Sequence, residues 1–107
     1  MSEESSYLDN KRKALVEFLS GTSVSIDVNF QPANDGGMGG FSLVSPSIEK
    51  SSPTPESEAK YVDTDGIEVL ISLFCDRNGN PASVDFWKHD FSSLVEFPTS
   101  NQVERIF

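Results

Sequence analysis

Apolar and polar positions alternate most regularly between Ile67 and Pro98, IEVLISLFCDRNGNPASVDFWKHDFSSLVEFP. Two runs with a period of two flank Asn78-Gly79, a dipeptide suited to a type I′ turn because both of its central residues need φ > 0. With those two residues as the loop, Arg77 faces Asn80, Cys75 faces Ala82, Leu73 faces Val84 and Ile71 faces Phe86, an apolar ladder on one face. The opposite face pairs Leu70 with Trp87, Ser72 with Asp85 and Phe74 with Ser83, a mixed set expected to be half covered. A slip of one residue would turn Ile71, Leu73 and Val84 outward, so the register is well specified.

The remaining elements are read around this hairpin. Leu8, Leu15, Phe18 and Leu19 form a stripe at helical spacing, widened by Ala14 and Val16, which predicts a helix from about Tyr7 to Ser20. Ser5, Ser6 or Asp9 is the expected cap, and Gly21 the αL terminator. Residues 1–6 are expected to fray. The run Lys11-Arg12-Lys13 reads as a solvated helix face. Thr22 to Phe30 shows the cleanest alternation in the chain, with Val24, Ile26, Val28 and Phe30 on one side, and predicts a strand ended by Pro32. Phe41 to Val44 and Ala59 to Val62 are further short strands. Residues 45–57, rich in Ser, Pro and Glu, are expected to be a mobile loop. Asp63-Thr64-Asp65-Gly66 is the turn into the hairpin. After it, Asp90 is placed to cap a turn of Phe91 to Leu94, with Phe91 and Leu94 pointing into the core. Val95 to Phe97 is extended, Pro98 closes it, and Gln102 to Phe107 is expected to form a helical turn. The predicted fold is α+β in a single domain, residues 1–107. An N-terminal helix packs on an antiparallel sheet of four or five strands, with the hairpin central.

Charge narrows the function classes. Eight Lys and Arg stand against seventeen Asp and Glu, a formal net charge of −9. That balance repels a phosphate backbone and an anionic membrane surface, and it suits a basic protein partner. One cysteine precludes an internal disulfide, no long apolar run is present, and the acidic N-terminus lacks the apolar core of a signal peptide. A cytoplasmic location is the expectation.

Catalytic candidates are few. Cys75 and His89 are the available thiol and base, but the hairpin register puts Cys75 beside the turn and His89 opposite Glu68, roughly 23 Å apart at about 3.3 Å per residue. A dyad needs contact at about 3 Å. No catalytic set, structural zinc site or cofactor is predicted. Asp63-x-Asp65-Gly and Asp76-x-Asn78-Gly-Asn80 resemble fragments of calcium loops, without the distal Glu of an EF-hand, and both also suit turns. The stretch Asn34 to Gly40, NDGGMGG, admits two readings: an anion-binding nest of glycine amides, or a bend between strands. It lacks the Gly-Lys-Ser/Thr ending of a nucleotide loop.

NDGGMGG and DFWKHDFSSL, at Asp85 to Leu94, together resemble a family of small uncharacterised bacterial proteins, one of the domains of unknown function. Members of that family carry a DGGMGS loop, then an Asp-aliphatic-Trp-Lys segment followed by Asp-Phe-Ser-Pro-Leu. The chain departs at Gly40, Phe86 and Ser93. The resemblance implies a bacterial source and a shared fold. It singles out Asp35, Gly36, Gly37, Met38, Gly39, Asp85, Trp87, Lys88 and Asp90 as candidate binding residues, with Phe91 beside them as a further residue of the motif. The expected function is a non-catalytic protein-interaction module, in one form immunity- or antitoxin-like, with a basic partner. The alternative is a small-ligand or metal-ion binder using the Asp35 to Gly40 loop.

Overall fold

A computed structural model describes residues 3–107, in the order α1 (Glu3–Ser20), β1 (Asn29–Pro32), β2 (Phe41–Val44), β3 (Ser57–Val62), β4 (Glu68–Cys75), β5 (Pro81–Lys88), a 3₁₀ turn (Ser100–Gln102) and β6 (Glu104–Arg105). The α+β expectation holds, with six strands instead of four or five. All pairings are antiparallel, and the order is β1-β2-β5-β4-β3-β6, so the hairpin takes the two central places. Among the described residues no helix is long and apolar enough to cross a membrane.

The helix covers one face of the sheet. Leu15, Val16 and Leu19 are buried against Phe41, Leu43, Ala59, Tyr61, Val69, Ile71, Leu73, Val84 and Phe86. Phe18, read as part of the same stripe, is partly exposed. The helix begins at Glu3, ahead of the expected caps, and Met1 and Ser2, counted in the frayed terminus, lie outside the described residues. Gly21 ends it at φ +73, its N–H bonded to the Glu17 carbonyl at 2.9 Å. Lys11 and Arg12 do not form a plain solvated face. Lys11 Nζ donates to the Phe97 carbonyl at 2.9 Å, and the Arg12 guanidinium lies 5.8 Å from the centre of the Phe41 ring. Their aliphatic stems bury while the charges reach partners, as long basic side chains allow. Phe97 fills the space under them, 5.3 Å from Phe86 and 6.1 Å from Phe41 between ring centres.

The hairpin pairs as read from Val69↔Lys88 to Phe74↔Ser83, but its turn differs. Asp76 N bonds to the Asn80 carbonyl at 2.8 Å and Gly79 N to the Asp76 carbonyl at 3.0 Å. The loop is therefore three residues, Arg77 to Gly79, with positive φ at Gly79 alone. This is a type I turn followed by a left-handed glycine, the usual three-residue solution. It shifts the pairing by one at Cys75↔Pro81, and an irregularity next to Phe74 restores it. Residues 64–66 turn β3 into β4 in the same way, with Asp63 N bonded to the Ile67 carbonyl at 3.0 Å and Gly66 at φ +83.

Three expected elements do not form. Residues 22–28 are not a strand, because β2 ends at Val44 opposite Asn29 and Pro46 follows, leaving nothing to pair with. The segment folds on itself instead, with Val28 N bonded to the Ser25 carbonyl and Val24 N to Glu17 Oε2. Val24 and Val28 still pack against the core, whereas Ile26 is 100% exposed. Phe91 to Leu94 form no helical turn. The tail forms β6 beside β3 instead of the helical turn expected over Gln102 to Phe107. Residues 45–57 run along the hairpin end, with Ser52 N bonded to the Cys75 carbonyl and Glu56 N to the Leu73 carbonyl, and Ser57 opens β3.

Candidate functional site

The two motifs meet, and what they build together is mainly a joint. Asp35 accepts from Met38 N at 3.1 Å and Gly40 N at 3.0 Å, which closes the glycine loop on its own carboxylate. The Gly37 carbonyl accepts from Leu94 N at 2.9 Å. Gly39, at φ +111, lies so close to the core that a Cβ there would stand 2.8 Å from Phe86 Cδ2 and 2.9 Å from Leu94 Cδ2. Met38 packs against the core cluster, and Gly36, at φ +71, has open space around it. The loop borders a cleft of about 280 Å³ against Leu8 and Arg12 of α1.

Lys88 is the second half of the joint. Its place on β5 follows the alternation Val84, Phe86, Lys88, which points it into the core opposite Val69. Its side chain is 0% exposed, and Nζ bonds to Asp63 Oδ2 at 2.9 Å, Asp65 Oδ2 at 2.6 Å and the Ser93 carbonyl at 3.0 Å. These satisfy all three ammonium donors. Asp63, equally buried, also accepts from Thr64 N at 2.8 Å, Val95 N at 2.8 Å and Glu96 N at 3.1 Å. Burial works against the charge on both groups. The backbone donors with Lys88 outweigh it and lower the Asp63 pKa, while the bonds to Asp65 and Asp63 raise that of Lys88. Tyr61 donates to the Glu96 carbonyl at 3.0 Å, and burial followed by the charge of Asp63 pushes its phenol up to about 12. The Asp63-x-Asp65 pair, read as a fragment of a calcium loop, thus carries a lysine ammonium. The second fragment serves its own turn: Asp76 accepts from Glu49 N, Asn78 N and Asn80 N, and these bonds, that from Glu49 foremost, hold its pKa at about 2.

The other candidates lie on the sheet face that α1 leaves uncovered. Asp85 and Trp87 point there from β5, and Trp87 is 49% exposed. Phe91 joins them instead of the core. It is 61% exposed, adopts φ +62, and sets its ring edge-on to Trp87 with 5.1 Å between centres. Asp90 does cap, but caps a bend: its Oδ1 accepts from Ser92 N at 3.1 Å and Ser92 Oγ at 2.6 Å, which lowers its pKa. Phe91 N bonds to the Lys88 carbonyl at 2.9 Å, so this aromatic corner is rooted in the buried joint. Asp85 lines a cleft of about 550 Å³ with Lys50, Phe74 and Ser83, and partial burial followed by the charge of Asp35 raises its pKa. Cys75 and His89 stand at opposite ends of the hairpin, His89 N bonded to the Glu68 carbonyl at 3.1 Å. Burial raises the Cys75 pKa, which leaves it a thiol.

The candidate set therefore divides into a joint (Asp35, Gly37, Met38, Gly39, Lys88), a capped bend (Asp90) and an open face (Asp85, Trp87), with Gly36 at the loop's solvent side. Sequence reasoning missed Asp63 and Asp65 as partners of Lys88. The signal was a lysine at an inward position of the ladder, since a buried ammonium needs acceptors. The model of the family DUF6984, a domain of unknown function, matches residues 8–98, and the chain belongs to that family. No curated protein and no solved structure matches the chain.

Proposed function

We propose that this chain is a non-catalytic protein-interaction module that docks a basic partner on the uncovered sheet face, with Trp87 and Phe91 as anchors. The observation that carries the reading is the backbone of Phe91. A left-handed conformation costs an L-residue about 1–2 kcal/mol, and for a bulky side chain it is a genuine outlier. Here that cost holds an aromatic ring out in solvent against an exposed tryptophan. Strain of this kind is retained where the surroundings over-determine it, and it clusters at functional positions. Large rigid aromatics are the usual anchors of interfaces. The net charge of −9 favours encounter with a positive surface. In a bacterial cell, an immunity- or antitoxin-like protein facing a basic toxin is one form this would take.

The test compares capture from a lysate of the source organism by the wild type, Trp87→Ala and Phe91→Asn. Asn tolerates the left-handed region, so Phe91→Asn should keep or raise the melting temperature while losing the captured protein. A basic protein retained by the wild type and released by both variants and by salt supports the reading. Retention that both variants leave unchanged overturns it.

A further inference from the structure

Asp85 stands two residues before Trp87 on β5, so both side chains leave the sheet on the uncovered face. The cleft it lines, about 550 Å³, falls in the size range of small-ligand sites. Phe74, paired with Ser83 across the hairpin, supplies apolar wall, and Ser42, Ser51 and Ser83 supply hydroxyls around it. Asp85 is the one carboxylate in that lining. Among the described residues no lysine, arginine or histidine lies within salt-bridge distance of it, although Lys50 stands at the same rim. Asp35 adds negative potential from the neighbouring loop. Asp63, Asp65, Asp76 and Asp90 are turned to backbone amides, neighbouring side chains or Lys88, whereas Asp85 faces this cleft without such a partner among the described residues.

We propose that this cleft receives the ammonium or guanidinium group of a lysine or arginine side chain of the partner, with Asp85 as counter-charge and Phe74 as the wall for its methylene stem. The inference rests on the interaction reading above and names the partner group that would sit beside the Trp87–Phe91 anchor. A carboxylate against a cation on an aliphatic stem matches both halves of such a side chain, whose body is apolar and whose tip is charged.

Titration of the isotope-labelled protein with n-butylammonium and n-butylguanidinium chloride, followed by amide chemical shifts, tests the cleft without any partner. Sodium chloride at equal ionic strength and 1-butanol are the controls. Saturable shifts at Phe74, Ser83 and Asp85 are expected, with a dissociation constant on the order of tens of millimolar, as an exposed pair with a partly covered apolar stem gives. Asp85→Asn should weaken binding about two- to fivefold, and Lys50→Gln, which removes a like charge from the rim, should tighten it. Shifts that do not saturate, that 1-butanol reproduces, or that persist unchanged in Asp85→Asn overturn the proposal. So does weaker binding in Lys50→Gln, the reverse of what removing a like charge from the cleft would do. Capture by the Trp87 and Phe91 variants is a separate readout, so the cleft and the interaction reading can fail independently.

Discussion

Asp63→Ala removes the acceptor on which the joint depends. Both members of the Asp63–Lys88 pair have side chains at 0% exposure, so the variant leaves an ammonium in the core with Asp65 and one carbonyl. Breaking a buried pair by deleting one partner costs about 3–5 kcal/mol. The amides of Thr64, Val95 and Glu96 lose their acceptor in the same step. Because these interactions share one carboxylate, their losses do not add, and the pair sets the floor. A loss of about 3 kcal/mol is a large part of the 5–15 kcal/mol of a typical domain. It corresponds to a fall in Tm of roughly 12–24 °C at the 4–8 °C per kcal/mol of a domain near this size. Urea unfolding by far-UV circular dichroism would read it as a lower midpoint at constant slope. Glu104→Ala, an exposed position, is the control. Converting the pair to Asp63→Leu with Lys88→Met should recover part of the loss, since a buried pair replaced by apolar residues is often neutral. Recovery stays partial because Val95 N and Glu96 N still lack an acceptor. A shift in Asp63→Ala no larger than that in Glu104→Ala would refute the joint as a source of stability.

Gly39→Ala should destabilise by about 1–3 kcal/mol from overpacking against Phe86 and Leu94, with added backbone strain at φ +111, whereas Gly36→Ala, in open space, carries strain alone; equal melting shifts for the two would contradict the close approach. Phe86→Ala should cost about 3–5 kcal/mol, as expected for a core phenylalanine, and a chemical-denaturation midpoint like that of the control would remove Phe86 from the core. Asp76, depressed from 3.8 to about 2, contributes stability that is fully present above pH 4 and is lost as pH falls toward 2. Asp76→Asn should therefore lie below the wild type at pH 7 and converge on it near pH 2, and parallel urea-midpoint curves over that range would show that the turn does not bind its carboxylate. Tyr61, raised to about 12, contributes in the opposite sense: its share of stability is present below pH 10 and lost as pH rises toward 12, which Tyr61→Phe should flatten in an alkaline melt.

The alternation from Ile67 to Lys88 was enough to place the hairpin, its inner face of Ile71, Leu73, Val84 and Phe86, and its pairing partners, because a period of two leaves one register that buries the apolar set. The helix and its glycine stop were legible for the same reason: their signals lie within the segment itself. What the segment could not contain was decided elsewhere in the fold. Thr22 to Val28 has the pattern of a strand and lacks one because β2 is too short to pair with it. The Asn78-Gly79 loop gained a residue because Asp76 organises three amides around its carboxylate. Lys88 was visible as a lysine on the inward face, but its partners Asp63 and Asp65 come from the preceding turn, 25 and 23 positions away in the chain. Phe91 looks like a core residue in sequence and faces solvent, since the bonds at Lys88, Asp90 and Ser92 fix its backbone in a conformation that turns the ring outward onto Trp87. Local periodicity determines which face an element buries. Which buried charge finds its counter-charge, and which aromatic is left outside, depends on chain segments that meet only once the sheet has formed.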